Sequence, residues 1–154
     1  MRDCPLPRLC FWNSLVVAML LLSGGALQAQ ETRSYVNPSP SDGQGPPFSG
    51  AVWIGSTLYL SGTIGRNADG QIPDTPEEEA RLVLNNVQRT LDAAGLTMDD
   101  LVTVTVYCSD VAHYDAFNSV YRTYFDGDFP ARAFIGAGTL LFNARFEVQG
   151  IAAR

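Results

Sequence analysis

Lysine is absent from this chain of 154 residues, and all ten basic residues are arginine. Schiff-base chemistry on a lysine amine is thereby excluded. Long hydrophobic runs are missing too. The most apolar stretch, residues 9–22, is interrupted by Asn13 and is too short and too near the start for a membrane span. Arg2 and Arg8 precede it, and Ser23, Gly24, Gly25, Ala26 and Ala29 follow it, so residues 1–29 read as a secretory signal peptide cut after Ala26 or Ala29. Export to the periplasm is the expected fate, with an uncleaved N-terminal anchor as the other reading.

Cysteine is scarce, and the leader removes most of it. Cys4 and Cys10 lie in residues 1–29, which leaves Cys108 alone and allows no internal disulfide. With His113 the single histidine, strong zinc ligands cannot cluster within one mature subunit. Cys108 has no basic neighbour to lower its pKa and reads as a buried, inert thiol. His113, beside Asp110 and Asp115, reads as a surface or capping residue. Residues 30–154 suffice for one core and one domain. They carry eight basic against fifteen acidic side chains, a net charge of −7. Such a chain lacks the basic surface that nucleic acid requires.

The chain then falls into periodic segments. Residues 31–49 are rich in Pro, Gly, Ser and Asp and read as an extended lead-in, with room for one short strand. Ala51–Ile54 and residues 57–61, separated by Gly55-Ser56, predict a hairpin. Gly62, Gly65 and residues 67–70 predict a loop. Thr75-Pro76-Glu77-Glu78 predicts a capped helix start, Leu82, Val83, Val87, Leu91 and Ala94 continue at helical spacing, and Gly95 ends the helix. Glu77, Glu78 and Glu79 then read as a solvated acidic cap at the positive end of the dipole. Residues 101–107 alternate as a half-buried strand, residues 112–125 form a second amphipathic helix with an aromatic core stripe, and residues 131–138 and 144–152 give two further strands. Two helices on one face of a mixed sheet leave the other face needing a partner, so an oligomer is expected.

Strand alternation puts Arg132, Phe134 and Gly136 on one face, and Arg145, Glu147 and Gln149 together on a polar face at solvent or a subunit boundary. A guanidinium held on a strand offers two parallel donors matched to a carboxylate, a fork that lysine does not reproduce. Glu147 can pair with an arginine or position a water. Read only as residues, Arg132 is equally a structural ion-pair partner, and Glu147 a paired or solvated strand carboxylate.

The stretch Pro130-Ala131-Arg132-Ala133-Phe134-Ile135-Gly136-Ala137-Gly138, followed by Phe146-Glu147-Val148, closely resembles the C-terminal signature of the Rid family, the reactive-intermediate imine deaminases. The resemblance extends upstream through Pro47-Phe48, Leu60-Ser61-Gly62, Asn85-Asn86-Val87, Ala93-Ala94-Gly95-Leu96, Asn118 and Tyr121. It implies an α+β, chorismate-mutase-like fold, a mixed β-sheet with two helices on one face, assembled as a homotrimer with clefts between subunits. The implied reaction is hydrolysis of 2-imino acids, or their enamine tautomers, to 2-keto acids and ammonia, without metal or organic cofactor. Arg132 then holds the substrate carboxylate and Glu147 relays protons, while Phe48, Ser61, Gly62, Asn118 and Phe134 bind substrate.

This chain departs from the family pattern at three places. Phe48 stands where many relatives carry tyrosine, Phe134 where they carry cysteine, and Thr63-Ile64-Gly65 where Gln-Ile-Pro is common. The pocket is therefore expected to be more apolar and differently shaped, and the substrate to differ from the small imines of serine and threonine breakdown. The rival readings are a non-catalytic carboxylate binder that keeps Arg132 and a holdase-like interaction protein of the same fold. Ribonuclease activity ranks last, given the acidic balance, the missing lysines and the single histidine.

Overall fold

The computed structural model describes residues 32–37 and 45–154. The expected leader lies outside the described residues. Seven strands form one sheet: β1 (Arg33–Val36), β2 (Ala51–Ile54), β3 (Thr57–Leu60), β4 (Thr63–Ile64), β5 (Leu101–Cys108), β6 (Ala131–Gly136) and β7 (Phe146–Ala153). Their order is β1-β2-β3-β7-β5-β6, with β4 taking over from β3 along β7. The pair β5 and β6 is parallel and the other pairs are antiparallel. The predicted hairpin is present, and β1 extends it from the lead-in. Thr63 and Ile64, predicted as loop, form the two-residue strand β4 because the long β7 has room beyond the end of β3.

Two helices cover one face. Helix α1 (Pro76–Ala93) begins where Thr75 Oγ1 accepts the Glu78 amide at 3.3 Å. It ends at Gly95, whose φ of 73° lets the Leu96 amide turn back to the Leu91 carbonyl at 2.9 Å. Helix α2 (Tyr114–Tyr121) is shorter than predicted, because the chain tightens into 3-10 turns at Val111–His113 and Arg122–Tyr124. Ala80, Val83, Leu84, Val87 and Leu91 of α1 and Phe117 and Val120 of α2 bury themselves against Leu58, Val104, Val106, Phe146 and Val148 of the sheet. Each large aliphatic side chain so enclosed contributes about 1.5–3 kcal/mol. No helix among the described residues is long and apolar enough to cross a membrane.

Among the described residues nothing covers the opposite face. Tyr59 and Ile135 are exposed there beside half-buried Thr103, Thr105, Tyr107, Gln149 and Ile151.

One acidic residue overturns its sequence reading. Glu79 is not solvated but fully buried, and its carboxylate accepts the Arg145 and Phe146 amides at 2.6 and 3.0 Å and pairs with the Arg145 guanidinium at 2.9 Å. Arg145 correspondingly leaves the open face. It precedes β7 and reaches across to α1 and to the Pro73 and Asp74 carbonyls. The cause is position: Glu79 is four residues before Val83 and eight before Val87, on the stripe that faces the sheet.

Candidate functional site

Arg132 stands on the edge strand β6, opposite Val104 of β5, so its side chain projects toward the helix-covered side. Pro130 immediately before the strand suits an edge, since it has no amide hydrogen to give to a ladder. The guanidinium emerges beside α2, where Nη2 donates to Asn118 Oδ1 at 2.7 Å. Its carbon lies 4.5 Å from the Tyr121 ring centroid and 5.9 Å from those of Tyr114 and Phe134. Asn118 and Tyr121 are three residues apart on one helix face, so one turn supplies both the acceptor and the ring. Among the described residues no carboxylate lies within ion-pair distance of Arg132; the one ion pair is that of Arg145 with Glu79.

That guanidinium opens into a hollow of about 260 Å³ lined by Asn118, Tyr121, Arg122, Phe129, Pro130 and Arg132. Its floor is aromatic. The Tyr121 and Phe129 rings are stacked with centroids 6.1 Å apart, and Tyr121 packs in turn on Phe117 and Phe125. Tyr121 is 3 % exposed, and its hydroxyl has no hydrogen-bond partner among the described residues. Burial pushes this phenol up to about 12, against the opposing pull of the Arg132 charge. Phe134 lies one residue pair further along β6, edge-on to Tyr114 and Phe117.

The remaining sequence-predicted residues lie elsewhere. Glu147 pairs across β5 with Tyr107, and Arg132 with Val104, so the two side chains project to opposite faces of the sheet. The Glu147 carboxylate fills the space above Gly62, where a Cβ would collide with Oε1. Phe48, 58 % exposed, joins Ser61 and Gly62 around a second hollow of about 610 Å³ that also touches Asn86 and Thr90 of α1. The Ser61 hydroxyl is engaged with the Ser49 carbonyl at 2.7 Å. One chain thus gathers Arg132, Asn118 and Phe134 in one place and Phe48, Ser61, Gly62 and Glu147 in another.

The sequence reading put Tyr121 in the aromatic core stripe, where it lies, and named it in the family resemblance without a role; Phe129 went unremarked. The signal for Tyr121 was the Asn118–Tyr121 spacing read together with a strand arginine; an aromatic at helical spacing is otherwise indistinguishable from core. Cys108 is buried as expected, with Sγ donating to the Asp110 carbonyl at 2.9 Å, and burial raises its pKa. His113 meets the edge of Phe146, while the capping is done by Asp110, whose carboxylate accepts the Ala112 amide. Among the described residues no group of three or more His, Cys, Asp or Glu is placed to hold a metal ion.

Comparison with known proteins gives a consistent picture. A family model described as endoribonuclease L-PSP matches residues 43–154. The chain is similar to a 2-iminobutanoate/2-iminopropanoate deaminase of Capra hircus, 39 % identical over 108 residues that cover 69 % of this chain and 79 % of the relative. It is 33 % identical to the protein of that name from Homo sapiens over 122 residues, 78 % of this chain and 89 % of the relative. Among solved structures, a Rid-family protein of Yersinia pestis superposes with a TM-score of 0.72 at 31 % identity, over 80 % of this chain and 100 % of that one. E. coli TdcF with bound serine superposes at 0.67 and 32 % identity, over 71 % of this chain and 89 % of that one.

Proposed function

Because the chain belongs to the Rid family, whose model is described as endoribonuclease L-PSP, we propose that it hydrolyses 2-imino acids, or their enamine tautomers, to 2-keto acids and ammonia. The observation that carries this reading is a strand-borne guanidinium that faces a hollow with no carboxylate of its own among the described residues. Relatives bearing the name 2-iminobutanoate/2-iminopropanoate deaminase support the reaction class. A solved relative with serine bound supports an amino-acid-like ligand.

In this mechanism Arg132 takes the substrate carboxylate through its remaining donors while Asn118 and the Tyr121 ring hold it from behind. With the carboxylate fixed, water adds to C2 of the protonated imine and gives a carbinolamine. The C–N bond then breaks, ammonia leaves and the 2-keto acid remains. A carboxylate such as Glu147 moves the protons that these two steps require. Arg132 and Glu147 point to opposite faces of one sheet, so their joint action requires a second copy of the chain. We therefore place the working site in a cleft of a homotrimer, with the open sheet face turned toward the other subunits. Phe48, Ser61 and Gly62 would wall the substrate from the same side as the partner subunit's Glu147.

The deciding experiment is ammonia release from freshly generated 2-iminopropanoate. Wild-type protein accelerates it. Arg132→Ala, which loses a charge-assisted bond of roughly 1.5–3 kcal/mol, lowers kcat/KM on the order of ten- to a hundredfold or more. Saturable 2-keto-acid binding with no ammonia release would replace this proposal with that of a carboxylate binder.

A further inference from the structure

The hollow beside Arg132 contains a second guanidinium. Arg122, the first residue of the 3-10 turn after α2, lines it from the solvent side, and no carboxylate is within ion-pair distance of it among the described residues. Asp126 and Asp128 are close in sequence, yet neither neutralises it. Its guanidinium carbon lies 5.9 Å from the Phe129 centroid. The two arginines thus rest on the two members of one stacked pair, Arg132 on Tyr121 and Arg122 on Phe129. Two adjacent cations repel one another, and the rest of the chain is acidic, so this is a local reversal of the overall charge.

Resting on the deaminase reading, we infer that the preferred substrates are 2-imino dicarboxylic acids of four or five carbons, the imines of acidic amino acids. Arg132 takes the carboxylate next to the imine carbon and Arg122 the one at the far end of the side chain. The chemistry is unchanged: water adds at C2, the C–N bond breaks, ammonia departs, and a 2-keto dicarboxylic acid is left, with no electrons transferred. Tyr121, Phe129 and Pro130 enclose the short carbon chain between the two charged ends. A monocarboxylic imine would leave the Arg122 end of the hollow unused. Arg122 is exposed, so its contribution is screened by salt.

The test compares the imines of aspartate and of 2-aminobutanoate, each generated in situ by an amino-acid oxidase, on the wild type, Arg122→Gln and Arg122→Lys. The wild type prefers the aspartate imine in kcat/KM. That preference falls about fivefold in Arg122→Gln, the most that one exposed charged contact supplies, and Arg122→Lys restores part of it. The wild-type preference also shrinks as ionic strength rises. A preference that is absent, or that survives Arg122→Gln within twofold, overturns the inference. Should neither imine be hydrolysed, the deaminase reading fails on its own account, and binding decides the present one. Oxaloacetate binding more tightly than 2-oxobutanoate, and losing that margin in Arg122→Gln, upholds dicarboxylate recognition; equal affinities refute it.

Discussion

Arg132 is useful for what surrounds it as much as for its charge. An arginine locked to a buried glutamate, as Arg145 is to Glu79, has its charge matched before a ligand arrives. Arg132 gives one bond to a neutral amide and sits over a ring, which holds it without cancelling its charge. Replacing Asn118 by alanine removes the orienting acceptor but not the cation, so KM for a 2-imino acid is expected to rise severalfold while kcat changes less; steady-state kinetics check the split. Tyr121 makes a separate prediction. Its folded pKa of about 12 lies above the ordinary value of 10.0, so between these pH values the unfolded chain releases a proton that the folded chain retains. Stability falls as pH rises through that window and is unaffected by this group below it. Tyr121→Phe flattens that part of the curve, measurable as thermal midpoints from pH 9 to 12. Alternation put Arg132 on one strand face with Phe134, as the structure has it, but left it open as an ion-pair partner; the family resemblance singled it out. Tyr121 was not legible as part of the site, because burial and function ask for the same residue type at the same helical spacing.

At the scale of elements, the site depends on a clamp outside it. Glu79 ties the first turn of α1 to the start of β7, the strand that carries Glu147 and pairs with β5. Two backbone amides and a guanidinium lose their acceptor together in Glu79→Ala, a change expected to destabilise by about 3–5 kcal/mol, read as a lower urea midpoint at an unchanged m-value. Glu79→Gln keeps the acceptor and costs less. The helices, the hairpin and the long strands were readable because their periodicity and caps are local: Thr75 and Gly95 mark the two ends of α1 by chemistry within a few residues. Glu79 was misread for the converse reason. Three successive glutamates satisfy the helix dipole equally, and only the positions of Val83 and Val87 indicate which of them turns inward. The β4 pairing and the separation of Arg132 from Glu147 depend on which strands become neighbours, which alternation within one strand does not encode.

For the molecule as a whole, the open sheet face and the divided site make the same demand. Tyr59 and Ile135 are exposed amid half-buried neighbours, and the two groups of site residues cannot meet within one chain. If a trimer closes both, Ile135→Arg shifts the protein to monomer in sedimentation and abolishes imine hydrolysis while leaving each chain folded. Mixed trimers of Arg132→Ala and Glu147→Gln chains regain part of the activity that each lacks alone. If residues 1–29 are a cleaved leader, N-terminal sequencing of the protein from its own host begins at Leu27 or Gln30. The most direct measurement of the central claim is a crystal structure with a 2-keto acid bound. The account predicts the ligand carboxylate against the Arg132 guanidinium, in a cleft closed by a second subunit; a ligand that leaves Arg132 untouched, or an Arg132 sealed by a carboxylate of the assembly, would contradict it.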